Sequence, residues 1–255
     1  MSYAFNRVKP RFSNNKHYTS VALSDLGLAK IDEYKNKFKL TDKVTYDAFD
    51  PRPEQRYRHL AKYHKEYLQG KVIDVGSRSS ELLERLTGVR AELVDKHNKD
   101  LPDWDWEKTP VPASDSSYQS VICYDTLEHI DNFHEGFSDI IRLSSEYVLV
   151  SLPNNWKKAV NEMIKGRGRW ESYGIPPEKP HDRHKWFFNT EDAEDFIYYH
   201  SSRDKLNYEV IDVRYNVPKT ILRIKLMYPL LKLLLPEYQF KNLFVETIFF
   251  VLKRK

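Results

Sequence analysis

Short apolar runs alternate along this chain with stretches whose apolar residues recur every three or four positions. The runs include Val72, Ile73 and Val75, then Ala91-Glu-Leu-Val-Asp95, Ser120-Val-Ile-Cys-Tyr-Asp125 and Glu146-Tyr-Val-Leu-Val-Ser-Leu-Pro153. Each reads as a buried strand, the last one stopped by proline. Residues 81–86 and 133–143 carry helical periodicity, with Phe137, Ile140 and Ile141 on one face of the second segment. Strand and helix in this alternation predict an α/β fold, a mostly parallel sheet with helices on both faces. Only nine residues separate Asp95 from Asp105. That is too short for a crossover helix, so an irregular connection is expected there.

The two ends of the chain differ from this middle. Residues 1–53 read as an N-terminal extension and candidate substrate cap, closed by the Asp50-Pro-Arg-Pro53 punctuation, with the main domain over 54–255. Residues 54–69 predict a helix running into Gly70, and its Tyr57, Tyr63 and His64 read as packing residues. After Pro153, residues 154–188 form a long basic and aromatic segment with Lys157, Lys158, Lys165, Arg167, Arg169, Trp170 and Tyr173. Such a segment beside a site acts as a lid, and its charges suit either solvent or an anionic glycan, a phosphate-bearing lipid or RNA. Asn189 or Thr190 then caps a helix. The tail predicts a strand over 207–214, an apolar helix inserted over 219–235 with a kink at Pro229, and an antiparallel last strand over 243–252.

Charge and cysteine content narrow the class. Forty-one Lys and Arg against 37 Asp and Glu leave +4, too mild to indicate nucleic acid by itself. Cys123 is the single cysteine, which excludes an internal disulfide framework, and the first ten residues lack the apolar core of a signal peptide. A cytoplasmic location is the expectation. No window approaches the roughly 18 apolar residues of a membrane span. Peripheral membrane contact through 219–235 is a different matter, because the charges there, Lys219, Arg223, Lys225 and Lys232, are all basic. Oligomeric state is not legible.

In parallel sheets ligands bind beyond the carboxyl ends of the strands. This puts Asp74, Asp95, Asp125 and Asn154, each just past an apolar run, on one expected rim. Gly76 permits the tight turn and close backbone approach that such a site needs. A dinucleotide is disfavoured, since a pyrophosphate turn wants Gly-x-Gly-x-x-Gly and only one glycine is present.

Five blocks carry a resemblance: Val72-Ile-Asp-Val-Gly76, Leu93-Val-Asp95, Thr109-Pro-Val111 with Ser117-Tyr118, Val121-Ile-Cys-Tyr-Asp-Thr-Leu-Glu-His129, and Val148-Leu-Val-Ser-Leu-Pro-Asn154. In this order they resemble the blocks of class I S-adenosylmethionine (SAM)-dependent methyltransferases, with Asp-Thr-Leu-Glu-His similar to the type 11 group. The resemblance implies a Rossmann-like class I methyltransferase fold with an antiparallel last strand, and SAM as cofactor. It places Asp74 and Gly76 beneath the methionine portion and Asp95, 21 residues after Asp74, on the ribose hydroxyls. Asp105 falls near the adenine amino group, Trp104 and Trp106 can flank the ring, and Asp125 completes the cofactor rim. The chain departs from the family loop at Arg78 and Ser80, which replace the second and third glycines. Arg78 is expected either to narrow the pocket or to reach the SAM carboxylate.

For the chemistry, the resemblance implies methyl transfer, with oxygen the expected acceptor atom. Glu128, His129 and His184 are the candidate catalytic residues, with His181 a further candidate. Asp125-x-x-Glu128-His129 plus a later histidine resembles the metal-site pattern of ubiquinone-pathway O-methyltransferases and small-RNA 3′-end 2′-O-methyltransferases, in which Glu usually stands where this chain has Asp125. A divalent metal is therefore an open alternative. The expected acceptor is a glycan, a lipid-linked intermediate or another small-molecule metabolite. RNA is the alternative, and a non-catalytic SAM-fold binding protein the alternative in class.

Overall fold

A computed structural model describes residues 22–47, 53–77, 79–96, 104–166, 173–175, 177–180, 183–202, 207–218 and 222–255. In chain order its elements are α1 (Ala22–Phe38), β1 (Lys43–Asp47), α2 (Pro53–Tyr63), β2 (Val72–Val75), α3 (Glu81–Thr87), β3 (Ala91–Val94) and β4 (Tyr118–Tyr124). There follow α4 (Phe133–Leu143), β5 (Ser144–Pro153), α5 (Asn155–Ile164), α6 (Thr190–Ser202), β6 (Tyr208–Pro218), α7 (Leu222–Leu234), α8 (Glu237–Phe244) and β7 (Thr247–Arg254).

The strands form one sheet in the order β1-β6-β7-β5-β4-β2-β3. β7 runs antiparallel between β5 and β6, and every other pairing is parallel. This is the mostly parallel sheet with an antiparallel last strand that the apolar runs predict. Alternation along β4 shows why such runs are apolar throughout: Val121 and Cys123 pack on one face of the sheet, Ile122 and Tyr124 on the other. Phe137 and Ile140 of α4, with Ile197 and Tyr198 of α6, cover the first face. Leu60 of α2 and Leu83 of α3 cover the second. Phe137 is fully buried, and burial of a side chain of that size contributes about 1.5–3 kcal/mol.

Within the extension, residues 43–47 belong to this sheet. β1 adds an edge strand beside β6, in register from Lys43 opposite Arg214 to Asp47 opposite Pro218. α1 packs on α6, where Lys35 Nζ lies 3.2 Å from Asp42 and 3.5 Å from the buried Glu194. Lys241 of α8 reaches the same Glu194 at 3.1 Å. A short polar stretch such as Lys43-Val-Thr-Tyr-Asp47 shows no apolar run, and its strand state follows from the exposed backbone edge of β6.

Several boundaries differ from the sequence expectation. The helix expected over 54–69 stops at Tyr63 and continues as a 3₁₀ turn over Lys65–Tyr67. The segment expected as lid opens with the helix α5. Residues 243–245 close α8 and its turn rather than beginning the last strand, because Phe240 and Phe244, one helical turn apart, both pack on Tyr228 of α7. An apolar run of three cannot separate these states by pattern alone. Asn189 is the cap of α6: its Oδ1 accepts the Asp192 N–H at 2.9 Å and its own N–H donates to Asp192 Oδ2 at 3.1 Å. No helix among the described residues is long and apolar enough to cross a membrane.

Candidate active site

A cleft of about 840 Å³ opens at the carboxyl ends of β2, β3 and β4. Its floor is the β2–α3 turn. Gly76 takes φ +84° and donates its N–H to Val94 O at 2.7 Å, and a Cβ at this position would run into the Thr126 side chain. Only glycine meets both conditions. Just before it, Asp74 is 2% exposed and accepts a 2.6 Å hydrogen bond from Tyr57 Oη, which is also 2.5 Å from Ser77 Oγ. Burial pushes the Asp74 carboxyl up to about 7, with the Tyr57 and Ser77 hydroxyls and Arg56 opposing the rise.

The β3 side supplies two further carboxylates. Asp95 sits just past β3, buried at 7% exposure and lining the cleft. Asp105 accepts the Glu107 N–H at 3.1 Å and lies 3.1 Å from Lys96 Nζ. Partial burial opposes its charge, but that N–H and lysine outweigh it and hold the carboxyl below its ordinary value. Trp104 and Trp106 form a wall, edge to face at 5.2 Å. Both are anchored from the core side, Trp106 Nε1 donating to Asp139 Oδ2 at 2.8 Å and Trp104 Nε1 to Thr109 O at 3.1 Å.

Past β4, Asp125 adopts φ +44°, a left-handed conformation uncommon for a non-glycine residue. Three contacts fix it: Ser151 Oγ donates to its Oδ1 at 2.6 Å, its N–H reaches Ser151 Oγ at 2.9 Å, and Arg56 Nε lies 2.6 Å from Oδ2. One turn later Glu128 is 1% exposed, and neither carboxylate oxygen has a hydrogen-bond partner among the described residues. Burial, and then Asp125, hold its carboxyl well above the usual carboxylate range, with His129 opposing. His129 Nε2 is 3.8 Å from Glu128 Oε1, and the His129 and His184 rings meet edge on at 4.6 Å. One ligand atom from each of Glu128, His129 and His184 lies within 4.8 Å of the others.

The far end of the lid segment returns over this cluster. Lys185 donates its N–H to Glu128 O at 2.8 Å, and its ammonium bridges Glu107 at 2.5 Å and Asp131 at 2.6 Å. Trp186 Nε1 donates to Ile130 O at 2.8 Å. His184 Nδ1 is 3.2 Å from both Asn155 Oδ1 and Tyr173 Oη.

The structure thus brings Asp74, Gly76, Asp95, Asp105, Trp106, Asp125 and His129 to one cleft, with Glu128 and His184 grouped on His129. Asn154 is the correction. Instead of facing the rim, its Nδ2 donates to Lys241 O, Asn242 O and Val245 O, and its Oδ1 accepts the Lys157 N–H, so it caps α5 and holds the end of α8. Arg78 and His181 lie outside the described residues. Sequence reasoning missed Arg56 altogether and read Tyr57 as a packing residue. The cue was their place on the helix that directly precedes β2.

The chain has a Rossmann-like α/β fold, a seven-stranded, mostly parallel sheet with an antiparallel last strand. No family model and no curated protein matches the chain. Similar solved structures include a chain of the complex between the Haloferax volcanii Trm112 methyltransferase activator and a methyltransferase, at 13% identity and TM-score 0.46, covering 78% of this chain and 91% of that one. The small RNA methyltransferase HEN1 is similar at 16% identity and TM-score 0.48, over 84% of this chain and 27% of that chain. Magnesium protoporphyrin IX methyltransferase from Synechocystis, solved with bound SAH, is similar at 10% identity and TM-score 0.42, over 91% of this chain and 98% of that one. At these identities and TM-scores, function is read from the site's own residues.

Proposed function

We propose that the cleft binds SAM and that the protein transfers its methyl group to an acceptor hydroxyl. The observation that carries this reading is the convergence of three strand ends on one cleft: the Gly76 turn with buried Asp74 after β2, the buried Asp95 after β3, and Asp125 and His129 after β4. The donor set fits the cofactor. A carboxylate such as Asp95 can accept both hydroxyls of a ribose, and the acidic floor at Asp74 suits a ligand that carries an ammonium and a sulfonium. The bare backbone at Gly76 leaves room for close approach.

When bound, SAM supplies an electrophilic methyl group on sulfur. The chain's residues must orient the acceptor and take up its proton. His129 is the base in this reading: it lines the cleft, and its Nε2 is 3.8 Å from a buried carboxylate that steadies the imidazolium. Lys185 and Trp186 fix the wall above it and narrow the access of water. Acceptors in keeping with the basic wall of Lys179, Arg183 and Lys185 are a glycan, a lipid-linked intermediate or a small anionic metabolite.

One observation favours a second reading. A buried carboxylate without a hydrogen-bond partner beside two imidazoles is a chemically suitable donor set for a divalent cation. In that case Glu128, His129 and His184 would hold the ion and the acceptor could be an RNA 2′-hydroxyl. Calorimetry with SAM and S-adenosylhomocysteine tests the common step, and absence of binding by either would sink both readings. Activity in the presence of a chelator separates them.

A further inference from the structure

The two ends of the segment over residues 154–188 are clasped together, and the clasp bears on His184. Asn155, the first residue of α5, is 2% exposed, and its backbone N–H donates to Phe188 O at 3.2 Å. Its side-chain Nδ2 donates to Trp186 O at 3.1 Å. Tyr173 Oη donates to the same carbonyl at 2.9 Å. On their other side, Asn155 Oδ1 and Tyr173 Oη each lie 3.2 Å from His184 Nδ1. The Tyr173 and His184 rings meet edge on with centres 5.5 Å apart.

These contacts decide where the proton of a neutral His184 sits. The Trp186 carbonyl can only accept, so it selects the amide orientation in which Asn155 turns Nδ2 toward it and Oδ1 toward the histidine. A tyrosine hydroxyl has one hydrogen, and here the same carbonyl takes it, which leaves a lone pair of Tyr173 Oη facing His184. Nδ1 therefore meets two acceptors. A bare Nδ1 would set three lone pairs against one another, whereas an Nδ1–H is shared between the two oxygens. In that tautomer the ring's lone pair is on Nε2.

The arrangement forgoes a stronger bond nearby. An N–H aimed from His184 at Glu128 would be charge-assisted and would give this buried carboxyl the partner it lacks among the described residues. The clasp spends the proton on an amide oxygen and a phenol oxygen instead. His184 thus joins Glu128 and the His129 ring, 4.6 Å away between centres, as an electron-pair donor and not as a proton donor. A side chain held against its most favourable local pairing is expected at a working site and serves no purpose in a packed wall.

We propose that Asn155 and Tyr173 are positioning residues that hold His184 as its Nδ1–H tautomer, so that Nε2 offers its lone pair within the Glu128, His129 and His184 group. The tautomer stands on the geometry; its effect on turnover rests on the methyl-transfer reading above. The test is long-range 1H–15N NMR of the full chain labelled with 15N-histidine, recorded at about pH 9 so that the ring is neutral. The His184 signals are assigned by their loss in His184→Gln. The wild type shows a protonated Nδ1 and a bare Nε2. In Asn155→Leu with Tyr173→Phe the population moves toward the Nε2–H form that free histidine favours, and turnover falls by about tenfold or more with SAM affinity within about twofold of wild type. An Nε2–H ring in the wild type overturns the assignment, and so does a wild-type pattern in the double variant. Wild-type turnover in a double variant whose tautomer has changed overturns the positioning role. An Nδ1–H ring in a wild type that binds no SAM overturns the turnover half alone, together with the methyl-transfer reading it rests on.

Discussion

Tyr57 Oη donates a 2.6 Å hydrogen bond to Asp74 Oδ2 beneath the Gly76 turn, in a pocket where the carboxylate is 2% exposed. The bond favours the ionised form against a burial that favours the neutral one, with the balance at about 7. A cationic ligand above this floor binds the ionised form better, so SAM affinity is expected to rise with pH through that value. In Tyr57→Phe the opposing hydrogen bond is gone, and the inflection moves to about one pH unit higher or more, since a bond to a charged group is worth roughly 1.5–3 kcal/mol. Calorimetry from pH 6 to 9 reads both curves. Superimposable profiles would remove Asp74 from the cofactor floor.

The same carboxyl has a consequence for stability. Its value rises from 3.8 in the unfolded chain to about 7 in the folded one, so between these values the native state holds a proton that the unfolded state has lost. Stability is then fully present below about pH 4, declines as pH climbs to about 7, and levels off above it. Asp74→Asn removes this decline. Relative to wild type, the variant gains on the order of a few kcal/mol between pH 4 and 7.5, seen as a flatter pH dependence of urea unfolding. Carboxyls held low, such as Asp47 beside His59 and Lys62, are common to both proteins and cancel in the comparison.

Asp95 and His129 should separate binding from turnover. Asp95→Ala loses the carboxylate assigned to the ribose hydroxyls and is expected to weaken SAM binding by about ten- to a hundredfold, the range of one or two lost charge-assisted hydrogen bonds. His129→Gln leaves that affinity within a few-fold and lowers turnover by about a hundredfold or more if the imidazole is the base. An Asp95→Ala protein that binds SAM normally would move the ribose elsewhere in the cleft.

What the sequence revealed follows from what each element depends on. Strands β2, β4 and β5 are apolar because both faces of the sheet are covered, and carboxylates at such strand ends, Asp74 and Asp125 among them, must converge on one rim. Those features are local. β1 was invisible because Lys43-Val-Thr-Tyr-Asp47 becomes a strand only by pairing with β6. Tyr57 and Arg56 looked like ordinary helix residues, and their roles depend on the angle at which α2 approaches β2 and β4. Asn154 followed the strand-end rule yet was claimed by three carbonyls at the end of α8, a contact between residues about ninety positions apart that no local pattern encodes.

Glu128, finally, distinguishes an ion-holding cluster from a proton-handling one. Its oxygens lack hydrogen-bond partners among the described residues, and His129 Nε2 lies 3.8 Å from Oε1. A divalent ion placed between Glu128, His129 and His184 would neutralise this buried carboxylate and couple to folding, because the three groups are assembled only in the native state. Under the second reading, Mn²⁺ therefore raises the unfolding midpoint of the wild type, and Glu128→Gln, which keeps shape and removes charge, abolishes that rise. The variant also weakens Mn²⁺ binding by about tenfold or more, measured by the loss of the free-ion signal in electron paramagnetic resonance. A midpoint indifferent to Mn²⁺ in both proteins, with turnover indifferent to a chelator, would assign the cluster to proton transfer by His129 with Glu128 as its electrostatic support.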